Sequence, residues 1–264
     1  MLDAMAPARR RLFLVVGGMV VLAVVATAVL LVLRSQRGGV TPVAQDEQGP
    51  VLLVPGYGGD TSSLDVLAQA LRRTGREVVL VDAPGDGTGD LDAQAEHLAS
   101  VAATTMRDTG AGSVDVVGYS AGGVVVRLWV ADHGGGDVVR RAVTLASPHH
   151  GTDLAGLAGD LAPDSCPEAC QQLATGSELI RALNAGDETP PGPRWVALWT
   201  TDDKTVVPPS SGALEGATSF SLQSVCPDLT VSHADVPRTP AVIAIVEREI
   251  GTAAPTVPDS TVCR

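Results

Sequence analysis

One lysine, Lys204, stands in a chain of 264 residues, and the 17 arginines are outnumbered by 30 aspartates and glutamates. The net charge is −12, and residues 38–264, with 13 basic and 29 acidic side chains, carry −16. A surface so short of cations repels a phosphate backbone, which excludes nucleic acid as a partner. The same acidic excess favours solubility of the domain that carries it. The glycine signatures G-x-G-x-x-G and G-K-[ST] are missing, so neither a dinucleotide fold nor a phosphate loop has motif support. No internal repeat is visible.

Cysteine is also scarce. The four residues, Cys166, Cys170, Cys226 and Cys263, all lie in the second half of the chain. An even number in an oxidising compartment reads as two disulfides. The expected pairing is Cys166–Cys170, close along the chain, and Cys226–Cys263, which would tie down the C-terminal tail. CPEAC has three intervening residues and no second knuckle, so no metal site is expected.

What the chain does have is a long apolar run. Residues 12–33, LFLVVGGMVVLAVVATAVLLVL, are 22 residues without a charge. At ~1.5 Å per residue the run reaches ~33 Å, enough to cross a ~30 Å hydrocarbon core. Arg9, Arg10 and Arg11 precede it in the basic segment 1–11, and Arg34 and Arg37 follow, which favours an inside N-terminus. An A-x-A at 26–28 could serve a signal peptidase, but cleavage there would leave VLLVL on the mature protein. The expectation is a single-pass anchor in the cell membrane with the remainder outside the cytoplasm; secretion after cleavage is the alternative. Residues 34–49 are polar with Gly and Pro and read as a flexible linker.

From residue 50 onward, apolar strand-like runs alternate with helical spacing. Strands are expected at 51–54, 76–81, 114–118, 141–148, 194–200 and 218–225, and helices at 62–73, 91–108, 121–134, 177–184 and 240–250. Strands nearly continuous in Val and Leu imply a mostly parallel sheet of about six strands, covered by helices on both faces. The domain is read as 50–264, with 151–193 as a small cap. In such sheets working residues collect at the carboxyl ends of the strands. PGYGGD, APGDG, GYSAGG, ASPHHGT and TTDDKTVVPP each follow a strand candidate.

Gly118, Ser120 and Gly122 form G-x-S-x-G between a strand and a helix, a turn that presents a serine Oγ at the top of a sheet. A serine hydroxyl is a weak nucleophile and needs an adjacent base that is itself oriented by a carboxylate. In the chain order Ser, acid, His, His97 comes too early. His133 ends the helix that Ser120 begins, and His149 and His150 follow the next strand too closely to leave an acid before them. His233 remains. Asp202 and Asp203 directly follow a strand; Asp203 opens D-x-x-V-x-P and is the expected acid, with Asp202 in reserve. Backbone N–H groups of Ala121 and Tyr57 are the expected oxyanion donors. Gly56, Gly58 and Gly59 let the first loop approach a substrate closely.

These motifs together resemble the α/β-hydrolase superfamily, and within it the small bacterial, actinobacterial-like lipases and esterases. Those commonly show H-G-x-G-G, G-H-S-M-G-G, G-S-P-H-x-G-T, D-x-x-V-x-P and a late histidine. Here they read Pro55 to Gly59, Gly118 to Gly123, Ala146 to Thr152, Asp203 to Pro208, and His233. Pro55 stands where His is usual, and Tyr119 and Ala121 replace His and Met. The resemblance implies that His149 braces the loops near the site. It also implies a serine esterase or lipase on ester or lipid substrates, acting as a monomer without cofactor or metal. An acyltransferase or amidase sharing the acyl-enzyme, and an inactive cell-surface binding module, are the rival readings.

Overall fold

The computed structural model describes residues 40–156 and 166–263, with Val16 and Met19. The chain divides at Val40 into two units, and the second begins at Thr41. The anchor expected at 12–33 lies outside the described residues apart from those two. Among the described residues no helix is long and apolar enough to cross a membrane.

Short Val- and Leu-rich runs make six strands: β1 (Val51–Val54), β2 (Val78–Leu80), β3 (Val114–Tyr119), β4 (Val139–Leu145), β5 (Arg194–Trp199) and β6 (Thr218–Ser221). They form one sheet in the order β2-β1-β3-β4-β5-β6, with every pairing parallel. Alternate side chains of a strand point to opposite faces, and both faces here are covered. Val51, Leu53, Val117, Val143 and Leu198 pack with Leu67 and Leu71 of α1 (Asp65–Arg73) and with Val242 and Ile245 of a C-terminal helix, Pro240–Glu249. Leu52, Val116 and Ala142 face the other way, onto Leu98 of α2 (Leu91–Thr109) and Val125 and Trp129 of α3 (Ala121–Asp132). β1, β3 and β4 are buried along their whole length, so these inner strands show no apolar–polar alternation.

Two expectations need correction. Residues 218–225 read as one strand, but β6 stops at Ser221. The Ser221 hydroxyl accepts from Ser224 N (3.3 Å) and starts a short helix, α6 (Leu222–Val225). The segment 151–193 has more helix than the one expected, α5 (Glu178–Leu183): α4 (Glu168–Gln172) precedes it, and residues 153–156 are helical as well. The terminal helix Pro240–Glu249 is thus α7.

Both disulfides pair as expected, Cys166–Cys170 and Cys226–Cys263. Part of the stretch read as a linker is fastened to the domain. Gln45 and Gly49 carbonyls accept from Arg140 (2.9 Å) and Arg76 (2.5 Å), and the Gln48 amide donates to Ile250 O (3.0 Å). Both guanidiniums meet the buried Asp115 of β3, at 2.6 and 2.5 Å, near the amino ends of the strands.

Candidate active site

β3 delivers Ser120 to the opposite end of the sheet. Ser120 has φ 53° and ψ −126°, while Ala121 opens α3. A non-glycine residue at positive φ is strained by about 1–3 kcal/mol, and the turn that imposes it depends on its glycines. A Cβ on Gly118 would stand 2.6 Å from Gly122 O and from Gly123 Cα. One on Gly122 would stand 2.5 Å from Val54 O. These contacts let α3 begin directly above β1 and β3, and they leave the serine projecting alone.

The loop after β5 supplies the acid. Asp203 is buried, and its Oδ1 accepts from Thr205 N and Val206 N, both at 2.8 Å. Its Oδ2 lies 2.7 Å from His233 Nδ1, and His233 Nε2 lies 3.0 Å from Ser120 Oγ. A carboxylate only accepts hydrogen bonds, so Nδ1 donates and Nε2 is left free to accept from the seryl hydroxyl. Residues 83, 113 and 30 positions apart are thereby joined in one row. The row can draw a proton off Oγ.

Asp202 does something else. Its Oδ2 accepts from Val231 N (3.0 Å) and from the Gln223 amide (2.9 Å), which also donates to Thr200 Oγ1 (2.9 Å). Thr200 in turn donates to Val231 O (2.8 Å). This clamp ties the end of β5 to the loop residue two positions before His233. Nothing in the sequence pattern marks Thr200 or Gln223 for it, because both are common surface residue types.

The loop after β1 reaches over the serine. A Cβ on Gly56 would lie 3.1 Å from Ser120 Cβ, so only a glycine lets the backbone sit this close. Tyr57, the next residue, is 44% exposed, whereas Ala121 is buried. Neither Tyr57 N–H nor Ala121 N–H has a protein acceptor among the described residues. Gly58 N–H and Gly59 N–H are already used, by Gly87 O and Gly56 O.

His149 is fully buried and packs beneath the site instead of joining it. Its Nε2 lies 2.9 Å from Thr144 Oγ1, and its carbonyl accepts from Asn184 (2.9 Å) and Arg127 (3.4 Å). Burial, with Arg127 and His150 nearby, holds its pKa well below 6.5, so the ring is neutral. Arg127 is a residue that the sequence reading missed. Its guanidinium is buried in α3, donates to Glu188 O (2.9 Å) and Asn184 Oδ1 (2.9 Å), and burial pushes its pKa down to about 10. It remains charged at neutral pH and fastens the 183–188 segment to the helix that follows the serine.

The six-stranded parallel sheet with Ser120 at the end of β3 has counterparts among known proteins. A family model described as the alpha/beta hydrolase fold matches residues 49–165. The chain has the α/β-hydrolase fold. Solved structures with the same architecture include the Bacillus licheniformis lipase BlEst2. In its propeptide form it has 18% identity and a TM-score of 0.67, covering 83% of this chain and 53% of that one. Its mature form has a TM-score of 0.63 at the same 18% identity, covering 81% of this chain and 95% of that one. Aspergillus fumigatus lipase B has 21% identity and a TM-score of 0.66, covering 80% of this chain and 55% of that one. The chain spans about half the length of the propeptide form and of the fungal lipase. No curated protein matches its sequence.

Proposed function

We propose that this α/β-hydrolase is a serine hydrolase of carboxylic esters, with Ser120 as nucleophile, His233 as general base and Asp203 as the group that orients it. The observation that carries the reading is the bridge made by His233, 3.0 Å from Ser120 Oγ and 2.7 Å from Asp203 Oδ2. Ser120 Oγ attacks the ester carbonyl carbon while its proton passes to His233 Nε2. Asp203 stabilises the imidazolium that forms. Tyr57 N–H and Ala121 N–H, both without protein acceptors, hold the oxyanion; removing one such donor typically costs about 10²–10³ in rate. Collapse breaks the C–O bond, and the imidazolium gives its proton to the departing alcohol. Water, deprotonated by the same histidine, then attacks the acyl carbon, releases the acid and restores Ser120.

Among the described residues of the 151–193 segment, helical residues 153–156 are followed by two helices of five and six residues. A cap built from such pieces suits soluble or short-chain esters at least as well as triglycerides. The charge-free run at 12–33 and the two disulfides support placement of the catalytic domain outside the cytoplasm, held by an N-terminal anchor.

A fluorophosphonate probe tests the nucleophile. The wild type is expected to label and Ser120→Ala to remain unlabelled; an unlabelled wild type, or equal labelling of the variant, overturns the assignment. Turnover of p-nitrophenyl esters should fall to the background of the uncatalysed reaction in Ser120→Ala, and the preferred acyl length separates an esterase from a lipase.

A further inference from the structure

The residue before the serine has no part in the scheme above, yet it touches the proposed base twice. Tyr119 is the last residue of β3 and is buried, 7% exposed. Its hydroxyl donates to the His233 backbone carbonyl at 3.1 Å. Its ring centroid lies 5.2 Å from that of the imidazole, with the planes inclined at 34°. We propose that Tyr119 is a positioning residue for His233, fixing the histidine's backbone through the hydroxyl and flanking the imidazolium with its ring. This inference rests on His233 being the base.

The case is geometric. His233 begins a 3-10 turn, His233–Arg238; the preceding Ser232 caps none of its N–H groups, and its hydroxyl donates instead to Asp235 Oδ2 (2.5 Å). The imidazole must nevertheless satisfy two partners at once, Asp203 and Ser120. Val231 is held from the β5 side by Thr200 and Asp202. Tyr119 holds the next point of the chain from the β3 side. Because β3 also carries Ser120, one strand sets both the nucleophile and the carbonyl of its base, and the distance between them becomes a property of that strand. Burial pushes the phenol up to about 12, so the hydroxyl stays protonated and remains a donor across the working pH range.

The ring adds a second effect. A cation over an aromatic face within about 6 Å of the ring centroid is attracted by the ring quadrupole, and the Tyr119 ring packs against the imidazole at 5.2 Å. The imidazole becomes cationic only after it has taken the seryl proton. Among the described residues, the charged groups acting on Tyr119 are Asp203, and Asp235 and Arg238 of the same turn.

Two variants separate the effects. Tyr119→Phe keeps the ring and loses the donor. Its kcat on a p-nitrophenyl ester is expected to fall about 3- to 10-fold, the range for one net hydrogen bond, with KM unchanged. Tyr119→Leu loses both the donor and the ring; its kcat should fall further, again with KM unchanged. Cooperative melting establishes that each variant is folded. If both are folded and match the wild type in kcat, the proposal is overturned. His233→Ala distinguishes the two levels of inference. Wild-type turnover there removes the base assignment itself, whereas loss of turnover with silent Tyr119 variants removes only Tyr119. Should Tyr119→Phe fail to fold, the wild type decides by NMR. A slowly exchanging Tyr119 hydroxyl proton with an Overhauser effect to His233 supports the contact, and a hydroxyl exchanging freely with solvent overturns it.

Discussion

At the scale of single residues, the site is made of side chains whose neighbours leave them one conformation each. Asp203 accepts three hydrogen bonds and has no rotamer to spare. Asp202, adjacent in sequence, has the same chemistry and faces Val231 and Gln223 instead. The sequence ordered these two by the D-x-x-V-x-P pattern, and the N–H groups at positions 205 and 206 fold back onto Asp203, the first residue of that pattern. Tyr119 was legible only as a substitution in a motif; its contact with His233 spans 114 residues and has no local signature. His149 carries a prediction of its own. Its folded pKa lies well below 6.5, and its Nδ1 has no partner. The unfolded chain therefore binds a proton first as the pH drops, so stability is complete above 6.5 and declines below it, by up to about 1.4 kcal/mol per pH unit. Denaturant midpoints between pH 7.5 and 5.5 should fall in the wild type, and His149→Gln should show a shallower slope over that interval.

Among elements, strand and helix order could be read directly because both faces of the sheet are apolar and the helices carry the 3.6 period. The misreadings have physical causes. β4 begins at Val139, before Arg140 and Arg141, whereas the sequence suggested a start at 141. Two buried arginines do not look like strand interior. They are tolerated because Asp115 and the carbonyls of Ile250, Gly251 and Ala253 receive them. β6 ends early because Ser221 caps a helix, a local side-chain bond that competes with the ladder. The disulfides differ in their expected weight. Cys226–Cys263 closes a separation of 37 residues and Cys166–Cys170 one of 4, for which chain entropy gives about 4 and about 2 kcal/mol. Cys226 also stands seven positions before His233. The Cys226→Ala/Cys263→Ala variant should melt lower than Cys166→Ala/Cys170→Ala and lose more kcat; thermal melts with parallel ester assays measure both.

For the whole molecule, charge and the N-terminal run are the legible features. A tethered protein retains residues 1–33, so intact mass spectrometry of the mature protein should show the full chain in a membrane fraction. A mass lower by the first 28 residues or so, with the enzyme in the medium, would establish cleavage at the A-x-A instead. The fold contributes a further point. Gln45 and Gly49 enter the domain beside Arg140, Arg76 and Asp115, near the amino ends of the central strands, while Ser120 projects beyond their carboxyl ends. Gln45 and Gly49 are thus fastened at the end of the sheet opposite Ser120. A label placed on the 45–49 stretch therefore stands a full strand length away from the serine, which makes that stretch the place for a reporter that leaves Ser120 accessible.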